Sequence, residues 1–319
     1  MKIAQLTHYD TDGIVCAIVI KNCLPPNHDL DLQATGYGKP LAEKLKNILW
    51  RGRHDELVLF VTDLRLEKQE LEAILKDSCV ARLIYIDHHP REDHNDLEEL
   101  HAEYKERFIY RWASDRCGSM LTYEYFLDGG FELDNVKEMV FLTDVYDMWR
   151  TNAPSFSDAW DLNALFWHFK TDMFISKFIS GSLDYDRETK ALLSNFRAAK
   201  KQYQDSAERV DVPLDPYKLL FVYDARGEWG NDWTVDFPDY DIYLMLKEKT
   251  SNTLNFSVRL NNGMKMSDIS ERVNAILPGV TGGGHDQAGG FVLEPTVDIE
   301  DFFNAFCKSI LDIHHQSGL

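Results

Sequence analysis

Ala81–Ile86, ARLIYI, followed at once by Asp87-His88-His89-Pro90, decides the reading of this chain. Six mostly apolar residues, rich in β-branched and aromatic types, have the length of a buried strand. Three adjacent residues of metal-ligand type then appear where the strand needs none, and Pro90 fixes the exit of the chain. The same pattern recurs upstream. Glu56–Thr62, ELVLFVT, ends in Asp63, and Ile3–Leu6 runs into His8-Tyr9-Asp10. Between these runs, Leu32–Tyr37 reads as a further strand. Gly13–Leu24 reads as a buried helix stopped by Pro25-Pro26, and Leu41–Leu49 and Leu66–Leu75 show helical spacing. Alternating strands and helices imply right-handed crossovers and a mostly parallel sheet. In such a sheet functional groups gather at the carboxyl ends of the strands, so these three distant segments share one edge.

Further along, Asp115 to about Glu208 is mainly helical, with Leu183–Lys201 a charged amphipathic stretch. Strand signals return after Val212-Pro213, at Lys218–Tyr223, Asp241–Leu246 and Leu254–Leu260. A helix over Ser267–Ala275, with Ser267 as its N-cap, precedes a glycine cluster at Gly279–Gly290 and a closing helix at Phe302–Ile313. The expected fold is α/β throughout. A mostly parallel, doubly wound N-terminal domain spans residues 1–185, a helical linker spans 186–211, and a smaller C-terminal α/β substrate-binding domain spans 212–319. The active site is expected in the cleft between the domains. A length of 319 residues suits two cores.

Composition narrows the function. The net charge of −19, from 34 basic and 53 acidic residues, argues against a broad grip on long nucleic acid, which needs a basic surface. A short anionic substrate held by local cations remains open. Cys16, Cys23, Cys79, Cys117 and Cys307 are scattered and odd in number, as expected of free thiols in a reducing cytoplasm. No apolar stretch reaches the roughly 18 residues of a membrane span, and the first residues lack a signal-peptide core.

His8, Asp10 and Asp12 alternate, which at a strand end puts them on one side, and Gly13 lets the chain turn into the next helix. Taken singly, Asp12 could equally be a helix cap and Asp63 a turn residue. Asp144 and Asp147, three apart in FLTDVYDMW, would share a helix face, and one of them could complete a site. Imidazole and carboxylate ligands suit Mn²⁺ first and Mg²⁺ as the alternative. Two such ions about 3.5–4 Å apart, bridged by a carboxylate, activate water and clamp a phosphoryl oxygen.

In order and spacing, HYDTDG, VTD, IDHHP and LTDVYD resemble the four motifs of the DHH phosphoesterases, and the first is similar to that of the RecJ-type exonucleases and the nanoRNase (oligoribonuclease) branch. Gly282-Gly283-Gly284-His285 looks like the GGGH motif of the DHH-associated domain, although Ala288-Gly289-Gly290 stands where the family usually has Ala-Ala-Gly. Ser257-Val258-Arg259 resembles the Ser-x-Arg strand of that domain. The resemblance implies two divalent cations. His8, Asp10 and Asp63 would hold one, and Asp12, Asp63, His88 and Asp144 the other. Asp87 would support the site, and His89 would face the phosphate or protonate the leaving oxygen. Arg259, Gly283, Gly284 and His285 would bind the substrate terminus. Arg116-Cys117-Gly118-Ser119 would start a helix near the site.

The function expected is hydrolysis of short RNA oligonucleotides to nucleoside monophosphates in the cytoplasm. A linear or cyclic dinucleotide phosphodiesterase comes next, then a single-strand DNA exonuclease. A nucleic-acid-binding scaffold with a decayed site would have lost metal ligands. The expected partners are a short oligonucleotide or dinucleotide, with no membrane and no stable duplex nucleic acid; a homodimer is left open.

Overall fold

Five short strands form the first sheet, because each apolar run is bounded by residues that cannot continue it. In the computed structural model they are β1 (Lys2–His8), β2 (Leu30–Thr35), β3 (Leu57–Thr62), β4 (Val80–Asp87) and β5 (Phe108–Trp112). The structure describes residues 1–25, 27–91, 95–225, 230–250, 253–261, 263–284 and 287–317. All pairings in this sheet are parallel, in the order β2-β1-β3-β4-β5. The helices between them are α1 (Thr11–Cys23), α2 (Lys39–Gly52), α3 (Lys68–Lys76) and α4 (Asn95–Tyr104). After β5 come α5 (Gly118–Asp128), α6 (Lys137–Asp147), α7 (Phe156–Phe178) and α8 (Arg187–Ser206).

Alternation along the strands sends Leu6, Leu59, Val61, Leu83 and Tyr85 into a core with Ile48 of α2, Leu71 and Ile74 of α3, and Leu97 and Leu100 of α4. On the opposite face Phe60 stacks on Phe126 of α5 at 6.0 Å. Ile14–Ile20 of α1 is wholly buried, since this helix is also covered by α5, α6 and α7. Helices on both faces make the sheet doubly wound. The sequence reading passed over β5, a five-residue edge strand, FIYRW, left half-buried beyond its first residue. It also passed over α4, whose acidic outer face hides two buried leucines.

The chain divides into two compact units, Met1–Ser194 and Asn195–Leu319, with the division inside α8. The second unit holds β6 (Arg209–Leu214), β7 (Tyr217–Ala225), α9 (Asp232–Asp236), β8 (Ile242–Thr250), β9 (Thr253–Leu260), α10 (Met266–Ile276), β10 (Val280–Gly284), β11 (Ala288–Leu293) and α11 (Ile299–Ser317). Its sheet runs β10-β11-β9-β8-β7-β6, and only the β7–β8 pair is parallel. Phe256, Phe291, Phe302 and Phe306 fill the core beneath it. One expectation changes here. Lys265, not Ser267, is the N-cap of α10, and the Ser267 hydroxyl bonds Asp268 inside the helix. The glycine cluster is a β10–β11 hairpin in which Gly283 pairs with Gly290 and Gly284 with Gly289.

Candidate metal centre

The order β2-β1-β3-β4-β5 reverses direction between β1 and β3, and at that point a doubly wound sheet opens a crevice beyond its carboxyl edge. In register, Thr7 lies opposite Thr62, and Thr62 opposite Ile86. Asp63 and Asp87 therefore leave their strands level with one another, beside His8. Asp10 caps α1 by accepting the Gly13 N–H at 2.9 Å. A Cβ on Gly13 would stand 2.3 Å from the His8 carbonyl oxygen, so only glycine lets α1 start this close to β1.

Asp63 is the centre of the arrangement. It is 1% exposed and adopts φ +53°, a left-handed conformation that costs roughly 1–2 kcal/mol for a residue with a Cβ. Its N–H bonds the Ile86 carbonyl at 2.9 Å, which anchors the backbone while the carboxylate turns into the crevice. There Oδ1 stands 3.2 Å from His88 Nε2, and Oδ2 stands 3.9 Å from His8 Nδ1. Three groups of ligand atoms result: His8, Asp10 and Asp63; Asp12, His88 and Asp147; and Asp63, His88 and His89.

Buried carboxylates this close together oppose one another. Burial pushes Asp63 well above the usual carboxylate range, and Asp10, Asp12 and Asp147 push it further. Asp147 is raised likewise, by burial and then by Asp12 and Asp10. Burial also lowers His88. Asp63 Oδ2 and Asp147 Oδ2 are buried with no hydrogen-bond partner among the described residues. Acceptor oxygens left bare among like charges are what a divalent cation would satisfy, and the mixed oxygen and imidazole donor set fits that demand.

Asp12 is clamped by backbone amides. Its Oδ2 accepts the Gly118 N–H at 2.7 Å and its Oδ1 the Ser119 N–H at 2.8 Å, at the start of α5. A Cβ on Gly118 would meet Asp12 Oδ2 and the Asp63 Cβ, each at 2.9 Å. The small-residue helix start thus spends its amides on a carboxylate.

Asp144, expected in the site, lies outside these three groups of ligand atoms, whereas Asp147 lies within one of them. Asp144 Oδ1 accepts the Cys117 N–H at 2.9 Å, and Oδ2 pairs with Arg150 at 2.8 Å. Asp147 Oδ2 instead lies 3.5 Å from His88 Nε2.

Asp87 sits behind the ligands, wholly buried. Its Oδ2 accepts the Tyr85 hydroxyl at 2.9 Å, and its Oδ1 holds His89 Nδ1 at 2.8 Å. The Trp112 indole N–H bonds the His89 carbonyl at 3.0 Å, and Arg65 Nη1 bonds the Pro90 carbonyl at 3.0 Å, so the segment after β4 is tied on both sides. Trp149 and Tyr146 pack with Phe156.

In the second unit, Arg259 of β9 lies opposite Ala288, next to the bare glycine strands that include Gly283 and Gly284. Its guanidinium is oriented by Asn231, Ser257 and the Val258 carbonyl. Among the described residues no carboxylate pairs with it. His285 lies outside the described residues.

Residues 237–312 match the family model of the DHHA1 domain. Exonuclease RecJ bound to manganese aligns with a TM-score of 0.52 at 13% identity, over 97% of this chain and 89% of that one. An uncharacterized protein from Helicobacter pylori G27 aligns over 99% of both chains, at 19% identity and a TM-score of 0.46. RecJ in complex with Mg²⁺ from Thermus thermophilus aligns over 96% of this chain and 49% of that one, at 12% identity and a TM-score of 0.43. No curated protein sequence gives a significant match. The overall α/β fold is RecJ-like. Residues 237–312 are thus similar to a DHHA1 domain, and Asp87-His88-His89 stands at the end of β4 in the other unit. No helix among the described residues is long and apolar enough to cross a membrane.

Proposed function

We propose that this chain is a metal-dependent phosphodiesterase that releases nucleoside monophosphates from short RNA oligonucleotides. The observation that carries the reading is the pair of ligand groups meeting at Asp63, with two buried carboxylate oxygens that have no hydrogen-bond partner among the described residues. His8, Asp10 and Asp63 would hold one divalent ion; Asp12, Asp63, His88 and Asp147 would hold the second, so that the two share Asp63. Mn²⁺ is favoured by the imidazoles, with Mg²⁺ the alternative. Ions held by these residues would supply water activation and neutralisation of charge on the phosphoryl oxygens. The chain's own groups do the rest. The α5 amides keep Asp12 in place, and Asp87 holds His89 Nδ1 and so orients the ring; Nε2, having taken a proton from solvent, would give it to the leaving oxygen as the P–O bond breaks.

The class of substrate is supported by the RecJ-like fold and the DHHA1 match. Its shortness is supported by the net charge of −19. Arg259, beside backbone that carries no side chains, suits a phosphate group. Arg259→Ala is expected to raise KM about tenfold or more, in line with the roughly 1.5–3 kcal/mol of a hydrogen bond to a charged group, with kcat little changed. An unchanged KM would remove the residue from substrate binding.

A 5′-labelled RNA series, from dinucleotide to about a 24-mer so as to bracket the roughly 4–16 nucleotide sites of single-strand binders, tests the reading with Mn²⁺ and with EDTA. Metal-dependent loss of the shortest species supports it. Metal binding without cleavage would move the assignment to cyclic dinucleotides. Neither metal binding nor cleavage would leave a binding scaffold.

A further inference from the structure

Tyr37, in Gly36-Tyr37-Gly38 between β2 and α2, reaches across the carboxyl edge of the sheet. Its ring centroid lies 5.7 Å from that of His8 and 6.2 Å from that of His89. The residue is 46% exposed, so core packing does not account for its position. Its hydroxyl accepts the Arg65 backbone N–H at 3.2 Å and stands 3.4 Å from His89 Nε2.

With His89 neutral, the hydrogens in this chain of contacts have one consistent direction. Arg91 Nη1 donates to the Tyr85 oxygen at 3.0 Å, so the Tyr85 hydrogen is committed to Asp87 Oδ2. Asp87 Oδ1 then accepts from His89 Nδ1, which makes Nε2 the acceptor in the neutral ring. The Tyr37 oxygen already accepts from Arg65, so its one hydrogen is free to point at Nε2. Backbone, phenol, imidazole and carboxylate thus form a directed line from the end of β3 to the end of β4.

We propose that Tyr37 is a positioning residue for His89: its hydroxyl holds Nε2 at the rim of the phosphate site, and when substrate binds the O–H turns to a phosphoryl oxygen, freeing Nε2 to take up a solvent proton and pass it to the leaving oxygen as the P–O bond breaks. The role rests on the phosphodiesterase reading above. No bond to Tyr37 forms or breaks, and only its hydroxyl torsion changes.

Tyr37→Phe tests this, because it keeps the ring and removes only the hydroxyl. Two measurements separate the proposal from the reading it rests on. In metal-free protein with ¹⁵N-labelled histidine, the His89 Nε2 signal, assigned by its loss in His89→Gln, is expected to move in Tyr37→Phe while the other histidine signals stay. An unmoved signal would overturn the proposal without touching the phosphodiesterase reading. With Mn²⁺ and a dinucleotide, kcat is expected to fall about tenfold with KM within about twofold, as for a group acting in the transition state. A moved signal with unchanged kcat, or a change in KM alone, would also overturn it. No cleavage by the wild-type protein would overturn the reading and the catalytic part of the proposal, leaving the histidine signal to decide the contact itself.

Discussion

Asp63→Asn is expected to abolish both divalent-ion binding and hydrolysis, with kcat falling on the order of 10³-fold or more, about 4 kcal/mol at 1.36 kcal/mol per decade. Asparagine suits the test because it keeps the shape of the side chain and tolerates the left-handed backbone at this position. The stability effect has the opposite sign. Without metal, Asp63 is a buried carboxyl pushed up by burial and by three neighbouring carboxylates. An acid with a raised folded-state pKa binds protons more tightly folded than unfolded. Its ionisation therefore removes stability as pH rises from the unfolded value toward the folded one. In EDTA near neutral pH, Asp63→Asn is expected to melt above the wild type. A gain on the order of 1 kcal/mol would shift Tm by about 2–4 °C in a unit of this size, and the gap should narrow in acid. Added Mn²⁺ should raise the wild-type Tm with concentration and leave the variant unmoved. Thermal melts with EDTA and with Mn²⁺ decide it. A variant that still gains stability from Mn²⁺ would mean that Asp63 is not shared between ions.

The second large effect separates two aspartates on one helix. Asp147→Asn is expected to lower bound Mn²⁺ from about two to about one per chain and kcat by about 10²–10³-fold, comparable with removing one stabilising group from a transition state. Asp144→Asn should keep the metal content and lose stability instead, by roughly 1–3 kcal/mol, because it weakens a buried acceptor that serves Cys117 N–H and Arg150. Metal content after dialysis, with a denaturation midpoint for each variant, distinguishes them. Metal lost from Asp144→Asn and retained by Asp147→Asn would put Asp144 back among the ligands.

The choice between these aspartates shows where sequence reading stops. Three residues apart, both lie on one helix face, and no local rule separates them. The turn after α6 does so: Trp149 takes φ +51°, the Arg150 N–H bonds the Val145 carbonyl at 2.9 Å, and the guanidinium comes back onto Asp144. Arg150 drew no attention in the sequence because nothing local marks a residue that folds back past a helix end. Tyr37 escaped notice for a related reason. Its partners are Arg65 and His89, and a lone tyrosine between two glycines carries no periodic signal.

By itself the sequence determined the parallel α/β order of the first unit and the convergence of His8, Asp10, Asp63 and Asp87-His88-His89. Both follow from local facts: the apolar runs have strand length, and parallel crossovers bring every strand's carboxyl end to the same edge. Tertiary structure alone decided which carboxylates stay bare and which are spent. Asp12 went to the Gly118 and Ser119 amides, Asp144 to Cys117 and Arg150, and Asp87 to Tyr85 and His89, while Asp63 and Asp147 each kept an oxygen without a hydrogen-bond partner among the described residues. Every one of these aspartates reads alike in sequence. They differ only in which donors, on elements up to 107 positions away, the packing brings within hydrogen-bond reach.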